Sequence, residues 1–290
     1  MDTLVETKKT ANDLQSTIRS HLEELVQATD KARKSKEMLR YLDFVSKFPT
    51  YSPANIWCIL LAKPDASKVA GFHKWKSMGR FVRKGEQGLP ILAPILVKRE
   101  DEDGLEKQVL IGFKVVYVFD VTQTDGEPLP PPPDWKSPEK NDELNNQLIQ
   151  FAKNQGITVT FKNLPGEIQG VSKGGSIDIC PTAGTKTLIH EIAHELMHKD
   201  KNNHQTRAIK ELEAEAVSFV VSRHFGLENL NSPNYLALFK LKSDEIFSHM
   251  ERIRDTAHKI ITATDRNMSD VRQFSPIDYT DRFLHPVEKT

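Results

Sequence analysis

The stretch "TLIHEIAHELMH", residues 187–198, decides how the second half of this chain is read. It sets His190, Glu191 and His194 in the order H-E-x-x-H and adds His198 four residues later. Positions four apart lie one above the other on a helix, so the three imidazoles fall along one stripe. His190 and His194 can therefore both turn toward a single ion. Zinc suits imidazole and carboxylate ligands, and a catalytic site keeps a position open for water. Glu191, next to the first imidazole, is then placed to act as a general base on that water. Leu188, Ile189, Ile192, Ala193, Leu196 and Met197 surround the histidines with apolar positions, which predicts a largely buried helix. Buried imidazoles need partners, and a metal satisfies both.

A third ligand is expected from a neighbouring helix. The segment "ELEAEAVSF", residues 211–219, offers Glu211, Glu213 and Glu215 beside an apolar stripe of Ile209, Leu212, Ala216, Phe219 and Val220. Standing alone it reads as an acidic solvated face; after H-E-x-x-H it reads as a ligand helix. Glu211 and Glu215 are one turn apart, so one can bind metal while the other orients an imidazole.

The chain has 290 residues, enough for one large domain or two ordinary ones. Its 40 basic and 40 acidic side chains cancel, so net charge names no partner. The balance is uneven, however. Lys31 to Arg99 holds 15 Lys/Arg against four acids, and Glu100 to Glu106 reverses the sign with five acids and no base. A basic stretch of this kind marks either a polyanion site or a solvated face. Only two cysteines are present, Cys58 and Cys180, far apart. They make neither a disulfide framework nor a cysteine zinc site, which suits a reducing compartment. The polar N-terminus lacks the apolar core of a signal peptide, and no run approaches the ~18 apolar residues that span a bilayer. The expectation is a soluble, cytoplasmic protein with no membrane partner.

The clearest boundary is "TDGEPLPPPPDWKSPEK", residues 124–140, whose four consecutive prolines favour a stiff extended spacer. It divides the chain into a first domain (1–125), a linker (126–138), a second domain (139–265) and a polar tail (266–290), and the fold class is α+β. Leu14, Ile18, Leu22 and Leu25 recur at helical spacing, as do Met38, Leu42 and Val45. Ser52, Pro53 and Pro64 cap, open and stop a helix. "LPILAPILV" and "QVLIGFKVVYVFDV" predict an antiparallel hairpin. Beyond the linker, Ser137 and Pro138 open a helix that Gly156 closes. "ITVTF" reads as a strand, and "GEIQGVSKGGSIDIC" as a hairpin turning at Gly174 and Gly175. After the histidine helix, "HQTRAIKELEAEAVSFVVSRHFG" forms a second helix, and Ser243 caps a third with Ile246, Met250, Ile253 and Ile260 on its buried face.

H-E-x-x-H followed by a glutamate-bearing helix resembles the gluzincin type of metallopeptidase, including the ImmA/IrrE group. The resemblance implies a zincin-like domain, zinc as cofactor and a possible protein substrate. In those families the ligand glutamate sits four residues before an acidic or amide residue. Glu211 to Glu215 matches that pattern, which makes Glu211 the ligand beside His190 and His194, Glu191 the catalytic base, and Glu215 a support behind the ligands. Glu213 then points elsewhere, and His198 fits a recurrent extension of the motif as a packing or supporting residue. "SKGGSIDIC" resembles the strand that lines the substrate cleft in such folds. His204, His224 and Tyr235 are candidates for the donor that stabilises an oxyanion.

Residues 55–94 are similar to the N-terminal domain of ArdC-type anti-restriction proteins. The shared signature is an Asn-led helix, an aromatic-rich helix, then Gly79, Arg80, Val82, Arg83, Lys84, Gly85 and Glu86 before a hydrophobic strand. The resemblance implies a protein of a mobile element that binds single-stranded DNA and protects it from restriction. It also implies a metallopeptidase-like domain following the first, in the order found here. The residues are compatible with that partner. Lys63 to Arg99 holds nine Lys/Arg against two acids, interleaved with Phe72, His73, Trp75 and Phe81. Cations neutralise phosphates while flat side chains stack on unpaired bases. Lys74, Trp75, Lys76, Arg80, Arg83 and Lys84 are the expected DNA contacts. The alternative reading is a site-specific metalloprotease that cleaves a regulatory protein.

Overall fold

Helix α3 (Pro53–Ala62) starts and stops where its sequence dictates. The Ser52 side chain accepts a hydrogen bond from Asn55 N at 3.3 Å, Pro53 takes the first helical position, and Pro64 lies just past the end. The computed structural model describes residues 9–28, 30–100, 106–129, 141–200, 205–227, 238 and 240–265. Within them the chain is a mixed α+β protein with two compact units. Most of the expected linker, the polar tail, His204 and Tyr235 lie outside the described residues.

The described part of the first unit is residues 9–24, 51–100 and 106–129. Helix α1 (Ala11–Gln27) begins in it, with Leu14, Ile18 and Leu22 buried. The expected hairpin strands are β3 (Leu89–Glu100) and β4 (Glu106–Asp120), antiparallel from Leu89↔Val118 to Glu100↔Glu106, with a register shift between Ile95 and Leu96. Strand β1 (Val69–Gly71) pairs with the far end of β4, giving the order β1-β4-β3. Buried Asn55 ties α3 to this sheet. Its amide donates to Leu92 O at 2.9 Å, and its carbonyl accepts from Leu92 N at 2.8 Å. Both backbone groups of a strand residue are thereby satisfied. Three short elements escape period-based reading: α4 (Phe72–Ser77), β2 (Arg80–Val82) and its antiparallel partner β5 (Thr124–Gly126). Asp120, the last residue of β4, fastens the approach to β1 and the turn after β4, accepting from Ser67 N at 2.8 Å, Lys68 N at 3.1 Å and Thr122 N at 3.0 Å. Burial works against its charge, yet these donors hold its carboxyl below the usual value.

The described part of the second unit lies within residues 25–50 and 141–265. Helix α2 (Lys31–Lys47) therefore belongs with α7 (Arg207–His224), although it precedes the whole first sheet in sequence. It buries Met38, Tyr41, Leu42, Phe44 and Val45. Arg223 Nε meets Asp43 Oδ1 at 3.0 Å, and His224 Nδ1 lies 2.9 Å from Ser46 O. Helix α5 (Asp142–Asn154) is capped by Asn141, whose side chain accepts from Leu144 N at 2.9 Å. Ser137 and Pro138, expected to open it, lie outside the described residues. The second sheet has the order β6-β8-β7. Strand β6 (Thr158–Phe161) runs parallel to β8 (Ser176–Ile179), and β7 (Gly170–Ser172) runs antiparallel to β8 along the edge. The β7–β8 turn uses Gly174 and Gly175 at φ of 78° and 119°, where a side chain would be strained. Helix α6 (Thr185–His198) lies against this hairpin and against α7. Helix α8 (Ser243–Thr264) buries the four anticipated apolar residues, with Ser243 as its first residue and Lys242 in the cap position. No described helix is long and apolar enough to cross a membrane.

Candidate functional site

Helices α6 and α7 bring His190, His194 and Glu211 together, with one donor atom from each lying within 4.8 Å of the other two. The two Nε2 atoms are 3.0 Å apart, and Glu211 Oε2 stands 3.6 Å from each of them. The far nitrogens are backed from behind. His190 Nδ1 lies 3.3 Å from Glu215 Oε2, an ion-pair distance at an angle short of a full hydrogen bond. Glu215 in turn pairs with Lys186. His194 Nδ1 lies 3.1 Å from His198 Nδ1. The residues expected as ligands and as their supports are thus brought to one place.

The charges respond to that crowding. Burial and the neighbouring His190 push the His194 imidazole down to about 4, leaving it neutral as metal ligation requires. Burial also disfavours the charged form of His190, but Glu215 and the surrounding carboxylates outweigh it and raise its pKa. Glu191 is only 8% exposed, and burial raises its carboxyl above the ordinary value against the pull of His190. Such a carboxyl sits closer to the range of an effective general base.

Four features of this site were not read from the sequence. Gly170, on β7, faces Glu191. A Cβ there would fall 2.7 Å from Glu191 Cγ and 2.9 Å from Oε1, so the missing side chain is the room the base occupies. Glu195 is 2% exposed and accepts from Ser172 Oγ at 2.7 Å, Lys173 N at 2.9 Å and Gly174 N at 2.8 Å, with Gly175 N on its other oxygen. It fastens the β7–β8 turn to α6 and so sets the edge strand beside Glu191. The available signal was the Lys173-Gly174-Gly175 turn, whose amides need an acceptor. Glu213 points away from the ligands, as expected, but it is fully buried rather than solvated. Burial works against its charge; His198, His249 and Arg252 overcome it and bring its carboxyl down to about 2. His249, on α8, is a partner that no local pattern could supply. His224, a candidate oxyanion donor, is held between Ser46 O and Asp265 Oδ2. It lies thirteen residues beyond Glu211 on the same helix, roughly 20 Å away at 1.5 Å per residue, and plays no part in the site.

The expected DNA contacts of the first unit divide differently. Trp75 is corrected: it is 2% exposed and its Nε1 donates to Phe119 O at 2.8 Å, so it is core and offers no face for stacking. Arg80 spends its guanidinium on the β2–β5 pair, with Nε on Thr124 Oγ1 at 2.9 Å, NH2 on Thr124 O at 2.9 Å, and NH1 on the carbonyls of Gly126 and Glu127. Arg83 is paired with Glu86 at 2.6 Å and Asp125 at 3.3 Å. Lys76 and Lys84 are exposed and have no ion-pair partner among the described residues, while Lys74 is half-buried. Of the aromatics interleaved with these cations, Phe72 is exposed, at 50%, and so is Phe81, at 57%. Phe81 follows from strand alternation, since Arg80 and Val82 turn to the other face of β2.

Residues 8–155 match the family model described as the N-terminal domain of anti-restriction factor ArdC. The chain is 24% identical over 321 residues to pXO2-81, an uncharacterized protein of Bacillus anthracis. That match covers 92% of this chain and 54% of the relative, so the chain spans about half the length of the curated relative it matches. The metal-free crystal structure of antirestriction ArdC protein from the R388 plasmid is 20% identical, with a TM-score of 0.44 over 73% of this chain and 84% of that one. The Mn(II)-bound structure of the same protein is 20% identical, with a TM-score of 0.43 over 74% of this chain and 90% of that one.

Proposed function

Because this chain belongs to the family of the N-terminal domain of anti-restriction factor ArdC, we propose that it is a single-stranded-DNA-binding, anti-restriction-type protein of a mobile element whose second unit carries a zincin-like metallopeptidase centre. The observation that supports the metal centre is the convergence of His190, His194 and Glu211 donor atoms within 4.8 Å of one another. Two imidazoles and one carboxylate make the three-ligand set of a catalytic zinc site, and the backing of each imidazole fits the same chemistry. Zinc in such a set supplies Lewis acidity, polarising a carbonyl and acidifying water. Glu191 accepts the proton, held in place beside Gly170 and clear of the ligand positions. The DNA-binding half of the reading rests on Phe72 and Phe81 as stacking platforms and on Lys76 and Lys84 as phosphate contacts, replacing Trp75, Arg80 and Arg83.

A second reading, a site-specific metalloprotease that cleaves a regulatory protein, is favoured by Glu191, since a purely structural metal site has no use for a base. One set of variants separates the two. Glu191→Gln should keep about one zinc per chain and full single-stranded-DNA affinity, whereas His190→Ala, His194→Ala and Glu211→Ala should lose the metal. Protection of transferred DNA from restriction survives Glu191→Gln under the first reading. It vanishes, with zinc and DNA affinity unchanged, under the second. Absence of bound metal in the wild type after zinc reconstitution would defeat both assignments of the site.

A further inference from the structure

The polar chain behind His194 continues well past the residue that touches it. His194 Nδ1 lies 3.1 Å from His198 Nδ1, His198 Nε2 lies 2.8 Å from Glu213 Oε2, and His249 Nδ1 lies 2.7 Å from Glu213 Oε1. Arg252 stands 3.6 Å from Glu213 Oε2. Three helices contribute to it: α6, α7 and α8. The side chains of His198 and Glu213 are 5% and 0% exposed, so water is not free to replace one partner by another. Glu213 follows Glu211 by two residues, a turn of roughly 200° around α7, which is why it reaches this chain and not the ligand position.

We propose that Glu213 and His198 form a tautomer relay that aims the His194 Nε2 lone pair at the metal; the inference rests on the reading of His190, His194 and Glu211 as ligands. The logic is directional. A carboxylate only accepts hydrogen bonds, and a neutral imidazole carries one N–H and one lone pair. Glu213, fixed by donors on both oxygens, therefore requires the proton of His198 on Nε2. That leaves His198 Nδ1 as an acceptor. His194 must then carry its proton on Nδ1 to meet it, and its Nε2 is left as a lone pair toward His190 and Glu211. Outer partners of this kind fix ring orientation and ligand basicity. Glu213 and His198 are positioning residues: neither touches the metal.

The relay can be read without any reaction. In nitrogen-15 spectra of the metal-free wild type, His194 should be in the Nδ1–H form and His198 in the Nε2–H form. Zinc affinity, measured with Zn(II) alone against a chromophoric chelator, should fall about 10–100-fold in His198→Phe, which keeps the bulk and removes the acceptor. His198→Asn should recover most of that loss, because its Oδ1 stands near the place of Nδ1 and can accept from His194. A packing role predicts the reverse order, with Phe tolerated and Asn not. His194 found as the Nε2–H form, or wild-type zinc affinity in His198→Phe, would overturn the relay alone. A wild type that binds no zinc would remove the ligand assignment itself, and the relay with it.

Discussion

In the second unit, polar side chains are consumed by one another. His190 is backed by Glu215, His194 by His198 and His198 by Glu213, while the Nε2 atoms of His190 and His194 and Oε2 of Glu211 face one point. In the first unit the fold itself consumes them. Arg80 staples β5, Arg83 is paired with Glu86 and Asp125, and Trp75 closes the core against Phe119. What remains exposed there includes Lys76, Lys84, Phe72 and Phe81. A metal centre is therefore recognised by residues that converge, and a polyanion face by residues left over after the fold has taken its share. Charge counting along a segment cannot tell the two kinds of cation apart.

The largest effect that could break this comparison is on Trp75. Truncation of a buried aromatic should cost about 3–5 kcal/mol, so Trp75→Ala should lower the denaturant midpoint of the protein sharply. Affinity of the folded fraction for single-stranded DNA should not change. Unaltered stability combined with weakened DNA binding would restore Trp75 to the interface.

Asp120 is a carboxylate wholly used by the fold, and its replacement should be intermediate. Asp120→Asn turns a donor toward the amides of Ser67 and Lys68 and should cost about 1–3 kcal/mol at neutral pH. The folded carboxyl lies below its ordinary value, so its contribution is complete above about pH 4 and is lost as pH falls through the folded value. The stability difference between wild type and variant should narrow on acidification toward pH 3, measured by urea unfolding at each pH. A constant difference would show that the carboxylate charge is not what the turn requires.

The smallest effects belong to the remainder residues. Phe81→Ala should stay within about 0.5 kcal/mol of wild-type stability, as exposed positions do, and should lose about 1–3 kcal/mol of single-stranded-DNA affinity. Lys84→Ala should shallow the log–log salt dependence of that binding by about 0.7. Arg80→Ala, by contrast, should act first on folding. Salt slopes unchanged by Lys84→Ala but shallowed by Arg83→Ala in a stable protein would invert the assignment of used and unused cations.

Local pattern by itself determined a good deal of this protein. The four-residue spacing of His190 and His194 puts both rings on one stripe whatever surrounds the helix, and the Glu211–Glu215 spacing does the same on α7. Ser52 and Pro53 start α3 through their own bonding limits, and two apolar runs rich in β-branched and aromatic residues, joined by the charged turn of residues 100–107, pair as β3 and β4. The tertiary structure decided the rest. Whether Trp75 stacks outward or fills the core depends on Phe119, forty-four residues away. Glu213 becomes a buried anion only because His198 and His249 arrive from two other helices, and α2 joins the second unit because its apolar face meets α7. Periodicity reports which side of an element is apolar, but the identity of what covers that side comes from contacts between segments far apart in the chain.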